Sequence, residues 1–136
     1  MIIMAVDLGK ARTGIAASDK TEYLASPVAV ISEHKREVLL EKVAEKAKEI
    51  KAELLVVGLP RNMDGSEGES AQNARAFASE LSELTGLEAV LWDERCTTVT
   101  AHGYLNETNT RGKKRKAVID AVAATVILQS FLDSRR

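Results

Sequence analysis

Short apolar segments that end at turn residues or acids alternate along the chain with longer segments of helical periodicity. The short segments predict five strands, over residues 1–7, 14–19, 28–32, 53–60 and 88–94. A turn-rich stretch, LGKART, joins the first two strands and predicts a hairpin. The fourth segment, ELLVVGLP, is a continuous apolar run, which is typical of a strand buried on both faces.

The longer segments carry apolar residues at three- and four-residue spacing. They predict four helices, over about 35–51, 69–85, 97–106 and 115–133. Two strand–helix–strand steps imply parallel strands joined by right-handed crossovers. We therefore expect an α/β fold, a mixed sheet flanked by helices, in a single domain that covers residues 1–136.

The composition excludes several classes of protein. No segment approaches the roughly 18 apolar residues of a membrane span, and a chain with 45% hydrophobic and 29% charged residues resembles an ordinary soluble protein. The single cysteine, Cys96, leaves no internal disulfide, which fits a reducing cytoplasm. Together with His34 and His102 it lacks the ligand spacing of a zinc site. We expect a cytoplasmic protein that does not bind membranes.

The charge pattern restricts where a polyanion can bind. A net charge of −1 exerts no global attraction on nucleic acid, so any binding needs a local patch. One patch is the run RGKKRK, with the cations Arg111, Lys113, Lys114, Arg115 and Lys116. Such runs are usually solvated faces, but here we expect a mobile basic arm that contacts phosphates in a salt-dependent, sequence-independent manner.

Acidic residues stand where two of the predicted strands end. Asp7 closes the first strand, and Asp93 and Glu94 close the fifth. Open α/β sheets bind ligands at the carboxyl ends of their parallel strands, so these acids converge if the two strands are neighbours or nearly so. Asp19 ends the return strand of the hairpin, at the opposite end from Asp7, and we expect a structural role for it.

A further acid, Asp120, lies in the last predicted helix. Apolar residues follow it at spacings of 3, 4, 7 and 11, namely Ala123, Ala124, Ile127 and Phe131. This spacing predicts that Asp120 faces the sheet, where an ionised carboxylate requires a partner, a metal or a cleft. The alternative is a carboxylate that accepts hydrogen bonds near the helix start, where the dipole tolerates it. Three convergent carboxylates suit Mg²⁺, and two such ions suit phosphodiester hydrolysis.

Four blocks of sequence together resemble the YqgF-like family, which has the ribonuclease H-like fold. They are DLGKARTGIAASD (7–19), VVGLPRNMDGSEG (56–68), DERCTT (93–98) and DAVAATVILQ (120–129). Members are described as Holliday-junction resolvases and as nucleases that mature the 5′ end of pre-16S ribosomal RNA. The resemblance implies a five-stranded mixed sheet whose first three strands are antiparallel. It also implies a metal-dependent endonuclease that hydrolyses phosphodiester bonds of structured nucleic acid in ribosome biogenesis.

The resemblance also implies a catalytic and metal-binding set, Asp7, Glu94 and Asp120, with two Mg²⁺ or Mn²⁺ ions. In related resolvases of this fold the second acid ends the fourth strand. Here that strand ends in Gly58-Leu59-Pro60 without a carboxylate, so the pair Asp93–Glu94 takes over this position.

Three further residues match the family and are expected to bind nucleic acid: Arg12, Asn62 and Arg95. The two arginines lie on loops beside the acids, where a guanidinium can hold a phosphate through two hydrogen bonds. An ion pair with a neighbouring acid is the alternative for Arg95. The loop around Asn62 leads into a helix whose first amides either receive a phosphate or are capped by Ser66 or Ser70.

Two other functions are compatible with parts of the sequence. The pattern Asp-x-Gly-x₄-Gly at Asp7 also occurs in the phosphate loop of sugar-kinase and actin-like ATPases, but these proteins need two such domains. A non-catalytic nucleic-acid-binding module is the second alternative, and a Holliday-junction resolvase acting on branched DNA is the alternative nuclease. Expected partners are pre-rRNA or branched DNA and ribosomal particles. Resolution of a two-fold symmetric junction favours a homodimer, whereas RNA trimming is compatible with a monomer.

Overall fold

The strands and helices of the protein alternate largely as the sequence predicts. The computed structural model describes residues 1–9, 12–62, 64–94 and 112–135, and within the last range it describes side chains from residue 122 onward. The elements of these ranges are β1 (Ile3–Leu8), β2 (Arg12–Ser18), β3 (Ala25–Ser32), α1 (Arg36–Glu49), β4 (Leu54–Leu59), α2 (Glu69–Thr85), β5 (Ala89–Asp93) and α3 (Gly112–Ser134).

The five strands form one mixed sheet with the order β3-β2-β1-β4-β5. The pairs β1–β2 and β2–β3 are antiparallel, whereas β4 is parallel to both β1 and β5. The predicted α/β class and the antiparallel arrangement of the first three strands are therefore confirmed. Because β1, β4 and β5 run in the same direction, their carboxyl ends meet at one edge of the sheet, which we call the carboxyl edge.

The third strand differs from its prediction. It begins at Ala25, two residues before Pro27, whereas the sequence suggested that Pro27 precedes the strand. The proline pairs with Ala16 of β2, next to an irregularity between Ile15 and Ala16. Proline lacks an N–H group and is tolerated mainly on edge strands and at bulges, and β3 is an edge strand. Sequence alone does not reveal which strand lies at an edge.

One face of the sheet packs against α1 and α2. All six residues of β4 are buried, which explains its continuous apolar sequence. The core on this face includes Met4, Val6, Leu55 and Val57 of the sheet, Leu39 and Val43 of α1, and Phe77 and Leu81 of α2. The second helix ends at Gly86, which has a φ of 73° in the left-handed region.

The opposite face of the sheet packs against α3. Ile3, Ala5, Leu54 and Val56 contribute to its core, together with Ala124, Ile127, Leu128 and Phe131 of the helix. Trp92 of β5 packs edge-to-face on Phe131, with ring centroids 5.5 Å apart, and donates a hydrogen bond from Nε1 to Oγ of Ser130 at 3.2 Å. Because side chains alternate along a strand, Asp7 and Gly58 belong to this face as well.

The last helix begins earlier than predicted. It starts at Gly112 instead of residue 115, so the backbone of residues 112–116 is helical. The stretch predicted as a basic arm is therefore part of a helix from residue 112 onward, in keeping with the good helix propensity of lysine and arginine. The predicted helix over 97–106 and Arg111 lie outside the described residues. None of the helices that the structure describes has the length and hydropathy needed to cross a bilayer.

Candidate active site

Asp7 and Glu94 form a hydrogen-bonded pair of carboxyl groups at the carboxyl edge. Asp7 is the fifth residue of β1, and Glu94 directly follows β5; both are half-buried. Burial, the hydrogen bond with Asp7, and the negative charges of Asp7 and Asp93 raise the pKa of Glu94 to about 9. The Glu94 carboxyl group is therefore protonated at neutral pH, and its O–H donates a hydrogen bond to Asp7.

The strand between these acids lacks a side chain where they meet. β4 lies between β1 and β5, and Gly58 is its penultimate residue. A Cβ atom at position 58 would lie 3.0 Å from both Cδ and Oε1 of Glu94, and 2.8 Å from Cδ1 of Ile127. The carboxyl group of Glu94 thus occupies the space that a side chain at the end of β4 would fill. This geometry explains how the acid that follows β5 reaches Asp7 across an intervening strand.

Two glycines of the opening hairpin support the position of Asp7. Gly14 is the direct cross-strand partner of Asp7, so no side chain of β2 stands beside the carboxylate on that face. At Gly9 a Cβ atom would overlap the carbonyl oxygen of Arg12, so the turn requires a glycine there. Arg12 begins β2 immediately after this turn and lies at the carboxyl edge.

Asp19, at the opposite end of the hairpin from Asp7, is bound within a turn of the protein itself. Its carboxylate accepts hydrogen bonds from Oγ1 of Thr21 at 2.7 Å and from the backbone N–H of Tyr23 at 2.9 Å. The hydrogen bond from Thr21, followed by the one from Tyr23, lowers the pKa of Asp19. Asp19 therefore stabilises the turn between β2 and β3 as an ionised group, in agreement with its expected structural role.

The neighbouring acid Asp93 points into an ion-pair network that the sequence did not predict. Its Oδ2 lies 3.7 Å from Nη1 of Arg61, and Nε of the same arginine lies 3.3 Å from Oε2 of Glu67. Glu67 also accepts two hydrogen bonds from Arg75, at 2.6 and 2.7 Å, and the Arg75 contact lowers its pKa. The sequence signal for Arg61 is weak: it is one arginine between the end of a buried strand and a turn-rich loop.

The loop after β4 folds on itself through its polar side chains. Nδ2 of Asn62 donates to Oγ of Ser66 at 2.9 Å, and that hydroxyl donates to Oδ1 of Asp64 at 2.6 Å. The N-cap of α2 is Gly68, with no side-chain hydrogen bond to the helix. The suggestion that Ser66 or Ser70 caps this helix is therefore wrong, because Ser66 is engaged within the loop and Ser70 already lies inside the helix. A nucleic-acid contact of Asn62 stays a prediction.

For the remaining predicted site residues, the structure describes at most the backbone. Asp120 belongs to the backbone of α3, four and seven residues before Ala124 and Ile127, which pack on the sheet. Its side chain lies outside the described residues, as do Arg95 and the side chains of Lys113, Lys114, Arg115 and Lys116. In the part of the chain that the structure describes, no group of three or more histidine, cysteine or acidic residues is arranged to hold a metal ion.

The environment of the acid pair nevertheless suits a divalent cation. Two carboxyl groups in contact cannot both ionise unless positive charge lies between them, and here a proton supplies it. A hard cation such as Mg²⁺ binds carboxylate oxygens and can take the place of that proton. In proteins, Mg²⁺ is commonly bound by one or two carboxylates, and this pair provides two.

Comparisons with known proteins agree with this fold. The family described as "RuvX: Holliday junction resolvase" matches residues 1–134. A protein of Anaeromyxobacter sp. (strain Fw109-5) is 44% identical over 135 residues, which cover 99% of this chain and 98% of that protein. A protein of Paracoccus denitrificans (strain Pd 1222) is 46% identical over 138 residues, which cover 98% and 85%. Both carry the name "Putative pre-16S rRNA nuclease".

Solved structures with little sequence identity share the fold. RuvC of T. thermophilus, in complex with a Holliday junction substrate, has a TM-score of 0.66 at 12% identity and is matched over 95% of its chain. The fowlpox virus resolvase, in complex with Holliday junction DNA, has a TM-score of 0.63 at 12% identity, with 99% of both chains covered. The resemblance noted in the sequence is thus confirmed, and the chain belongs to the RuvX Holliday junction resolvase family.

Proposed function

We propose that this protein is a metal-dependent endonuclease that hydrolyses phosphodiester bonds at the 5′ end of pre-16S rRNA. The observation that carries the proposal is the proton-sharing pair Asp7–Glu94 at the carboxyl edge of a ribonuclease H-like sheet. The name of the 44% identical relative supports the choice of RNA. We further propose that residues 1–136 form one nuclease domain, which works in the cytoplasm on ribosomal particles.

The metal would be held by Asp7 and Glu94, together with Asp120 as the predicted third ligand. When bound, one or two Mg²⁺ or Mn²⁺ ions supply Lewis-acid chemistry, which activates water and stabilises the leaving oxygen. Glu94 must lose its proton before it can act as a ligand, so we expect metal affinity to rise with pH.

The other residues of the site keep the acids accessible and bring the substrate to them. Gly14 and Gly58 leave space beside the two carboxyl groups. Arg12, at the start of β2, is suited to hold a substrate phosphate near Asp7. Asn62, Arg95 and the basic residues Arg111, Lys113, Lys114, Arg115 and Lys116 are proposed as further contacts with the nucleic-acid backbone.

Resolution of Holliday junctions is the second candidate function. The description of the matching family favours it, and the two structures above share the fold while bound to junction DNA. A four-way junction has two-fold symmetry, so this activity would favour a homodimer with two copies of the Asp7–Glu94 site. Trimming of an RNA end has no such requirement.

Cleavage assays on both substrates test the proposal. Wild-type protein is incubated with a pre-16S rRNA leader and with a four-way DNA junction, in Mg²⁺, in Mn²⁺ and in EDTA. The variants Asp7→Asn, Glu94→Gln and Asp120→Asn remove one proposed ligand each. Asp133→Asn is the matched control, because it makes the same change on an exposed residue near the other end of α3.

We expect metal-dependent cleavage of the RNA by wild type and by Asp133→Asn, and a loss of at least about 100-fold in each ligand variant. Cleavage of the junction alone would favour the resolvase. Binding of both substrates without metal-dependent cleavage would replace the proposal with the non-catalytic binding module. Undiminished cleavage by Asp7→Asn would show that the site is wrong.

A further inference from the structure

Arg61 is a cation at the carboxyl edge, in ion-pair distance of the residue next to Glu94, and neither the sequence pattern nor the proposed catalytic set includes it. We infer that Arg61 binds a backbone phosphate of the nucleic-acid substrate next to the Asp7–Glu94 site. The inference rests on the proposed function and identifies a further contact of that site. Arg61 lies two residues after β4 and is in ion-pair distance of Asp93, the residue that precedes Glu94.

Arg61 forms ion pairs but no short hydrogen bond with the described residues. Its Nε is buried and has no hydrogen-bond partner in the described ranges, although Oε2 of Glu67 lies 3.3 Å away. The 3.7 Å from its Nη1 to Asp93 is an ion-pair distance, too long for a hydrogen bond. A guanidinium has five N–H donors, and 31% of this side chain is exposed. Because Nε is buried, a phosphate would have to bind the terminal Nη1 and Nη2 groups, and there it displaces no short hydrogen bond to the described residues.

Glu67 does not depend on Arg61, because Arg75 already satisfies it. Arg75 donates from Nε to one Glu67 oxygen at 2.6 Å and from Nη2 to the other at 2.7 Å. This bidentate geometry is the strongest arrangement between the two groups. The contact between Glu67 and Arg61 is therefore secondary. It orients the Arg61 guanidinium and still leaves it available to a ligand.

Electrostatics at the carboxyl edge favour such a role. Asp7, Asp93 and Glu94 concentrate acidic groups where a polyanionic substrate must approach. Bound cations would offset part of this charge, and cationic side chains near the acids would offset more. Arg61 supplies such a positive charge next to Asp93, the last residue of β5. Arg12 lies at β2, on the other side of β1 and β4. Two guanidinium groups on either side of the acids can hold successive phosphates of one strand.

The test measures the salt dependence of RNA binding in a cleavage-deficient Asp7→Asn background. A fluorescent pre-16S rRNA leader is titrated in EDTA at KCl concentrations from about 50 to 200 mM. Arg61→Gln and Arg61→Lys are compared with Arg135→Gln. The last variant removes the same charge from an arginine that pairs with Glu22 at the opposite edge of the sheet. Urea unfolding of each variant verifies that it is folded.

We expect Arg61→Gln to lower the magnitude of the log K against log[salt] slope by about 0.7–0.9, the value for one lost phosphate contact. Affinity should fall by about tenfold, whereas Arg61→Lys keeps the slope and Arg135→Gln changes neither quantity. An unchanged slope and affinity in Arg61→Gln would overturn the inference alone and leave the nuclease proposal intact. Absence of salt-dependent RNA binding by the parent protein would overturn both.

Discussion

The proton shared by Asp7 and Glu94 predicts that the candidate active site destabilises the metal-free protein. The pKa of Glu94 is about 9 in the folded chain, against a usual value of 4.5. Between these two values the folded state binds more protons than the unfolded state, so the free energy of unfolding falls as the pH rises. Glu94→Gln removes this proton uptake and keeps an N–H donor to Asp7. We therefore expect the variant to be more stable than wild type.

The size of the effect follows from the distance between the pH and the unfolded pKa. At about pH 7 that distance is roughly 2.5 units, and one unit corresponds to about 1.36 kcal/mol, so the gain is at most about 3–4 kcal/mol. The gain shrinks below about 1 kcal/mol at pH 5 and grows with pH until it passes the folded pKa of Glu94. For a chain of this length it corresponds to a rise of roughly 10 °C in Tm.

Urea unfolding in EDTA, followed by the fluorescence of Trp92 at about pH 5, 6, 7 and 8, measures this gain. Trp92 is the single tryptophan of the chain and contacts α3 through Phe131, so its emission reports on the packing of that helix. Glu53→Gln, the same substitution at an exposed position before β4, is the control and should stay within about 0.5 kcal/mol of wild type. Mg²⁺ should stabilise wild type more than Glu94→Gln.

Two results would refute this reasoning. A Glu94→Gln variant that is less stable than wild type in EDTA near neutral pH would show that the carboxyl group is not a buried, proton-demanding group. A stabilisation that is the same at all four pH values would show that it arises from packing and not from proton binding. Either result would also remove the main support for a metal at this pair.

Three further substitutions test other parts of the structure. Gly58→Ala should destabilise the fold by about 1–3 kcal/mol and abolish cleavage, because its Cβ displaces the Glu94 carboxyl group; wild-type activity in this variant would contradict the described geometry. Gln129→Ala should lower the free energy of unfolding by about 1–2 kcal/mol in urea. Its amide accepts a hydrogen bond from the backbone of Ala25, the first residue of β3, and donates one to the carbonyl of Tyr23. Arg36→Ala breaks an exposed ion pair between α1 and α2 and should change stability by less than about 1 kcal/mol, so a larger loss would reveal an additional role.

Most elements of the fold are predictable from local sequence. The apolar run that became β4, the periodic pattern of α2 and its terminal Gly86 depend on residues close together in the chain, and they appear as predicted. The start of β3 was not predictable, since Pro27 is acceptable only because β3 lies at the edge of the sheet. The earlier start of α3 at Gly112, by contrast, agrees with the local helix propensity of the lysines and arginines that follow it.

The sequence by itself determined the class of fold, the acids at the ends of strands and the family to which the chain belongs. Only the tertiary structure decided that Glu94 contacts Asp7, because that contact depends on strand order and on the absence of a side chain at Gly58. The position of Arg61 has the same origin, since Asp93 lies 32 residues further along the chain. Burial and strand register bring these groups together, and neither is encoded in the spacing of residues along the chain.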